Sequence, residues 1–254
     1  MLKIKQNLFQ GFFSCCSCRL ESIIWYFNLQ KKLPEEVDSS DQFKWYKPMN
    51  STEDITYEYF EKKNSYTINY KEIEFTNKYQ YHLYNSFPYI DYIPFIRKYF
   101  YPSQEVQQLI KEIEEKYNID YPNTCVLFYR GNDKATEIDL PSYDSLLEVA
   151  IQIKQENPNV RILVQSDETE FLQKMLELPN SFYFKDEFRH IPRQKATVDH
   201  IDINQNLKFS KLFLAITIIM AKSQYIVCNT GNCSMWICLY RGHTQNVFQM
   251  IRGA

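Results

Sequence analysis

An apolar, β-prone run from Cys125 to Tyr129 ends abruptly in Arg130-Gly131-Asn132-Asp133-Lys134-Ala135-Thr136-Glu137, a compact cluster of opposite charges. A buried strand that delivers charges at its carboxyl end is how open α/β sheets build a ligand crevice. Arg130 supplies a planar, permanently charged fork suited to a phosphate. Asp133, Lys134 and Glu137 follow on a loop, where reactive groups concentrate. Two more polar loops follow β-prone runs. Ser166-Asp167-Glu168 comes after Val160–Gln165 and puts carboxylates where a ribose or a base can donate hydrogen bonds. Asn229-Thr230-Gly231-Asn232-Cys233-Ser234 comes after Gln224–Cys228. Gly231 permits close backbone approach, and the amides of Asn232, Cys233 and Ser234 open a helix, where an anion is welcome. Taken singly, each loop is also an ordinary charged or capped turn. Strand ends on one parallel sheet face one crevice, so together they aim at one ligand.

The elements that position these loops alternate. The sequence predicts strands at Thr124–Tyr129, Val160–Gln165, Ser181–Phe184, Gln224–Cys228 and Asn246–Met250. Between them it predicts helices at Ser142–Glu156, at Asp167–Leu178 with Ser166 as N-cap, at Lys208–Lys222 and at Asn232–Arg241. Residues 185–206 form a long polar loop in which Arg189, His190, Arg193 and Lys195 either clasp a ligand or lie in solvent. Strands separated by helices pair in parallel, so the fold class is α/β, a Rossmann-type parallel sheet flanked by helices. The region before it is a smaller, irregular α/β half, and the division falls at 1–105 and 106–254. There the sequence predicts a strand at Ile4–Gly11, a turn over Gly11–Cys18, a helix over Leu20–Asn28, and loops with short strands over 33–92. A helix capped near Pro102-Ser103-Gln104-Glu105 then runs to Lys116. Ser14 and Ser17 at the early turn either cap the helix or touch an anion.

Composition restricts the partners. Among 254 residues, 29 basic side chains face 31 acidic ones, a net charge of −2, so no global field recruits nucleic acid or an anionic membrane. Hydrophobic residues at 44% suffice for a core. The odd number of cysteines, 7, fits free, mostly buried thiols in a reducing compartment. No cysteine or histidine group has metal spacing, so no metal is expected. Neither a signal peptide nor a membrane span is expected, and the chain reads as soluble and cytoplasmic.

The charged loop resembles a family motif. Arg130-Gly131-Asn132-Asp133-Lys134-Ala135-Thr136-Glu137 is similar to the Arg-Arg-Thr-Asp-Lys…Thr-Glu motif of α1,6-fucosyltransferases and related nodulation fucosyltransferases. Ser166-Asp167-Glu168 falls at that family's Thr-Asp-Asp, and Ile226-Val227-Cys228-Asn229 at its strand leading into Ser-Ser. The resemblance spans residues 95–250 and implies a GT-B-like fold whose C-terminal half binds a nucleotide sugar and whose N-terminal half faces the acceptor. It implies inverting, metal-independent transfer from a nucleoside diphosphate sugar, GDP-fucose above others, to a glycan or protein hydroxyl, with no cofactor. Arg130 would hold the β-phosphate, Lys134 would line the acceptor side and Glu137 would be the general base. Asp133 and Ser166 would belong to the donor site, Asp167 would contact the nucleoside, and the Gly231–Ser234 amides the pyrophosphate. The chain departs from the pattern at Gly131, where the family has its second arginine, at Phe128, where it has histidine, and at Gly231-Asn232 in place of Ser-Ser. These departures leave open a competing class, a nucleotide-sugar- or glycan-binding relative that keeps the fold without turnover.

Overall fold

The computed structural model describes residues 1–5, 10–48, 51–61, 68–187 and 189–251. Its centre is the run Thr124–Tyr129, where all six residues are buried. Successive strand side chains point to opposite faces, and both faces of this strand are covered. Cys125, Leu127 and Tyr129 join one apolar cluster, and Val126 and Phe128 join another. A strand apolar on both sides is what a doubly covered parallel sheet requires.

In chain order the elements are β1 (Leu2–Lys3), α1 (Phe12–Gln30), β2 (Val37–Asp38), α2 (Thr56–Tyr59), β3 (Phe60–Glu61), α3 (Tyr89–Tyr99), β4 (Tyr101–Pro102) and α4 (Gln104–Tyr117). The second half continues with β5 (Thr124–Tyr129), α5 (Tyr143–Glu156), β6 (Arg161–Ser166), α6 (Thr169–Met175), β7 (Ser181–Phe182), α7 (Asn206–Lys222), β8 (Tyr225–Asn229), α8 (Asn232–Arg241) and β9 (Val247–Met250). Strands β5 to β9 form one sheet in the order β7-β6-β5-β8-β9, parallel at every pairing. The fold is thus mixed α/β, with a five-stranded parallel sheet between helices. Helices α5 and α6 cover the face carrying Leu127 through Leu146, Ala150, Phe171 and Met175. Helices α7 and α8 cover the Phe128 face through Leu214, Ile219, Trp236 and Ile237. The same cluster takes in Phe13, Ile23 and Phe27 of α1, Phe95 of α3 and Val106 of α4, so apolar packing runs continuously from the first half into the second. Deleting such a side chain costs about 2–5 kcal/mol.

The direction of strand addition reverses between β5 and β8, which makes the crevice beyond their carboxyl ends the expected ligand site. The two ends are tied there. Asn229 accepts from the Arg130 amide at 2.8 Å and donates to the Arg130 carbonyl at 2.8 Å.

The sheet and its helices follow the sequence expectation to within a residue or two, and four elements differ. Helix α6 starts at Thr169 rather than Asp167, because β6 stays paired through Ser166 and the segment beyond it remains extended. The amide of Ile191 donates to the Asp167 carbonyl and that of Thr169 to the Ile191 carbonyl, forming a bridge between Glu168 and Ile191. Ser166 still accepts, from the Glu168 amide, at 3.0 Å. Second, Gly11–Cys18 is no turn. Helix α1 begins at Phe12, and burial of Phe12, Phe13, Cys15 and Cys16 fixes that start. Third, no described residue of the expected Ile4–Gly11 strand is in a strand: the short strand there, Leu2–Lys3, precedes it, and 6–9 lie outside the described residues. Fourth, β7 ends at Phe182. Helix α3, with Pro94 inside it, had no counterpart in the sequence expectation over its first turn. Ser103 caps α4 as expected, accepting from Val106.

All seven cysteines are free. Among the described residues no helix is long and apolar enough to cross a membrane.

Candidate functional site

The carboxyl ends of β5, β6 and β8 open onto a cleft of about 420 Å³. Arg130, Asp133, Lys134, Glu137, Ser166, Asp167, Gly231, Asn232 and Cys233 all line it. Ser234 does not: it is fully buried in the first turn of α8, beside the Cys228 thiol.

Arg130 leaves β5 and is held from two sides. Its Nη2 lies 2.6 Å from Asp133 Oδ1, and its Nη1 pairs with Asp167 Oδ2. Burial opposes the guanidinium charge, but Asp133 foremost outweighs it, and the group is held above its ordinary range. Asp167 also binds backbone, its Oδ1 accepting from the Gly131 amide at 2.7 Å. A carboxylate shared by an arginine and an amide fixes both. Glu168, wholly buried, accepts from the Asn132 amide at 2.7 Å and from the Tyr143 hydroxyl. The two acids read in the sequence as the start of a helix thus tie down the loop after β5.

Lys134 and Glu137 form a second unit. Lys134 is buried, its Nζ donating to Glu137 Oε2 at 2.7 Å and to Gln80 Oε1 at 2.9 Å, and it lies 4.7 Å from the centre of the Tyr81 ring. Tyr81 also donates to Glu137 Oε2, at 2.8 Å. Partial burial alone would raise the Glu137 pKa; the Lys134 bond and charge, the Tyr81 hydroxyl and Arg130 outweigh it and leave the pKa lowered. Tyr81 is pushed up to about 12, by burial first and then by Glu137. Glu137 is therefore ionised at neutral pH and stands at the rim, 43% exposed, where it can accept a proton.

The third unit is the start of α8. Gly231 has φ 157° and ψ 168°, a conformation essentially restricted to glycine. The Tyr84 hydroxyl satisfies both its polar groups, accepting from the amide at 2.9 Å and donating to the carbonyl at 2.9 Å. No side chain caps this helix, nor the start of α1, where Gly11, Phe12, Phe13 and Ser14 line the same cleft. Ser17 is engaged elsewhere, donating to Asn232 and accepting from the Trp236 ring nitrogen. Burial pushes the Cys233 thiol up to about 11, which excludes it as a thiolate nucleophile at neutral pH.

The wall formed by residues 185–206 was only partly legible. Arg189, one of the loop cations, is buried and bidentate to Glu187, at 3.0 and 2.9 Å, with Asp199 Oδ1 3.8 Å away. Arg193 stays exposed. Glu187, Asp199, Gln80, Tyr81, Trp45 and Tyr46 line the cleft and carry no periodic or motif signal in the sequence. Among the described residues no group of three or more His, Cys, Asp or Glu is arranged to hold a metal ion.

No protein-family model and no curated protein matches the chain. Solved structures do. NodZ α1,6-fucosyltransferase co-crystallised with GDP matches at TM-score 0.37 and 11% identity, over 58% of this chain and 44% of that one. NodZ soaked with GDP-fucose matches at TM-score 0.37 and 12% identity, over 58% and 45%. Fucosyltransferase NodZ from Bradyrhizobium matches at TM-score 0.33 and 11% identity, over 53% and 40%. The matched part spans less than half the length of each of those proteins.

Proposed function

We propose that the cleft binds a nucleoside diphosphate sugar and transfers its sugar to a hydroxyl group. The observation that carries this reading is convergence: Arg130, the uncapped start of α8 at Gly231–Cys233, and Glu137 all face one cleft at the reversal point of a parallel sheet. Arg130 and the α8 amides suit a diphosphate. In the step itself, Glu137 takes the proton of the acceptor hydroxyl as its oxygen bonds to the anomeric carbon. The bond from that carbon to the diphosphate breaks, and Arg130 and the amides receive the charge that leaves with it. This single displacement inverts the anomeric centre and needs no metal. GDP-fucose is the donor we favour, from the motif around Arg130, and the acceptor is a glycan or protein hydroxyl. Residues 1–105 form the acceptor side, with Lys134, Tyr81 and Gln80 at the junction. A cytoplasmic location is part of the same proposal.

One observation favours a second reading. Glu137 Oε2, which only a transferase needs, is already bracketed by Lys134 and Tyr81. A protein that holds a nucleotide sugar without turning it over needs only Arg130 and the Gly231 turn. A thermal-shift panel of nucleoside diphosphates and their sugars, with and without divalent metal, tests the proposal. A ligand at 100 times its dissociation constant stabilises the fold by about 2.7 kcal/mol. Stabilisation by GDP and GDP-fucose above the uridine series is the expected result. Preference for another base would retain the transferase and discard fucose, and no shift with any nucleotide would remove the proposal.

A further inference from the structure

Away from the Arg130 loop, part of the cleft wall consists of Trp45, Tyr46, Glu187, Arg189, Thr197 and Asp199. Tyr46 is 1% exposed, yet its hydroxyl has no hydrogen-bond partner among the described residues. A buried hydroxyl without a partner is destabilising, because it has given up water for nothing. Its ring is fixed, edge-on to Phe12 at 5.7 Å and to Phe43 at 6.5 Å, so the hydroxyl cannot swing away. The charges of Asp199 and Arg189 both act on it. Asn77, on the same cleft, has an unpartnered Oδ1 as well.

The neighbouring groups decide what such a wall can take. Arg189 is spent on Glu187 and lies near Asp199, so this part of the wall offers two carboxylates against one cation that is already paired. Among the described residues that line this part of the wall, an anion meets no unpaired cation. Asp199 is well placed to accept: its Oδ2 lies beside Gly11 at the start of α1 and takes the Thr197 hydroxyl at 3.2 Å. Asn206 donates to the carbonyls of both Trp45 and Asp199, at 3.0 and 2.8 Å, and so locks the aromatic segment to the acidic one. Fixed acceptors, a spare hydroxyl and aromatic rings together match a neutral ring bearing several hydroxyls. Its O–H groups donate to the carboxylates and the amide oxygen, and its oxygens accept from Tyr46.

We infer that this wall is a subsite for a neutral polyhydroxylated ring, with Tyr46 and Asp199 as its principal hydrogen-bonding partners. The role of that ring as acceptor or donor sugar rests on the transferase reading; its binding does not. The chemistry is shared by a pyranose and by the ribose of a nucleoside, and the test separates them. The full chain is titrated with a panel of methyl hexosides and, separately, with guanosine and uridine, all without phosphate, and followed by saturation-transfer NMR. At least one class should show saturation transfer, with about tenfold weaker binding in Tyr46→Phe and in Asp199→Asn. A hexoside response places a sugar ring in the subsite, and a nucleoside response places the ribose there. Tyr46→Phe keeps the packed ring, so without ligand it should melt no lower than the wild type. If the hexosides respond, its GDP affinity should match that of the wild type; if the nucleosides respond, its GDP affinity should fall by the same factor, because GDP carries the same ribose. Hexoside binding that depends on Tyr46 in a protein unable to bind GDP would uphold the subsite and remove the donor reading. No saturation with either class, or undiminished binding by Tyr46→Phe, would overturn the inference.

Discussion

A β-carbon built on Gly131 would lie 2.1 Å from Cδ of Glu168. Glu168 is wholly buried and committed to the Asn132 amide and the Tyr143 hydroxyl, so it cannot step aside freely. The position at which the fucosyltransferase motif has a second arginine is therefore filled by an acidic side chain from the neighbouring loop. Gly131→Ala should destabilise the fold by roughly 1–3 kcal/mol, as overpacking does. Adding Glu168→Ala to it should recover less than the full loss, since the Asn132 amide is then left without its partner. Urea unfolding of the two variants measures this, and an unchanged midpoint for Gly131→Ala would contradict the packing.

Tyr84 is the one group that satisfies both the amide and the carbonyl of Gly231. Tyr84→Phe removes only the oxygen and should cost about 1–3 kcal/mol, the penalty for leaving the buried Gly231 amide unpaired, while the Gly231 carbonyl keeps the Met235 amide at 3.0 Å. Because the turn it holds opens α8, the same variant should weaken diphosphate binding. Unfolding and titration calorimetry on this variant check the two effects separately.

Glu137 carries the sharpest functional expectation. Glu137→Gln should leave donor affinity nearly intact and lower turnover by about 10²–10⁴-fold, the range for loss of a general base. Its folded pKa lies below its ordinary value of 4.5, so its pairing stabilises the protein above pH 4.5 and is lost as pH falls through the lowered value. The acid limb of a rate profile should accordingly lie below 4.5. A rate that falls on acidification well above that pH would point to another base.

Cys233 should be inert. With its thiol at about 11, alkylation at pH 8 should be slow and should accelerate only as pH approaches that value. Cys233 is partly exposed on the cleft, so rapid labelling of the native protein at neutral pH, located by mass spectrometry, would contradict the raised pKa.

The parallel sheet was legible because its signal is local. β5 is a run apolar on both faces, and its neighbours are separated by helices whose apolar stripes recur at helical spacing. The convergence of the strand-end loops on one cleft was legible for the same reason, since topology places them there. Asp167 and Glu168 were misread as a helix start because acids after a serine also suit a helix N-terminus. Their carboxylates instead reach the amides of Gly131 and Asn132, 36 residues away in sequence. Trp45, Tyr46, Gln80, Tyr81 and Asp199 reach the cleft only through long-range packing, which leaves no pattern in the chain. The first turn of helix α3 falls inside 33–92, read as loops and short strands because polar and aromatic residues mix there without a helical stripe.

The central claim is that Arg130 holds a diphosphate. Titration calorimetry of GDP against the wild type and Arg130→Ala tests it most directly, with thermal unfolding as a check that the variant is folded. Saturable binding by the wild type, without divalent metal and abolished in Arg130→Ala, is the predicted result. Equal affinity in the two proteins, or no binding to the wild type, would contradict it.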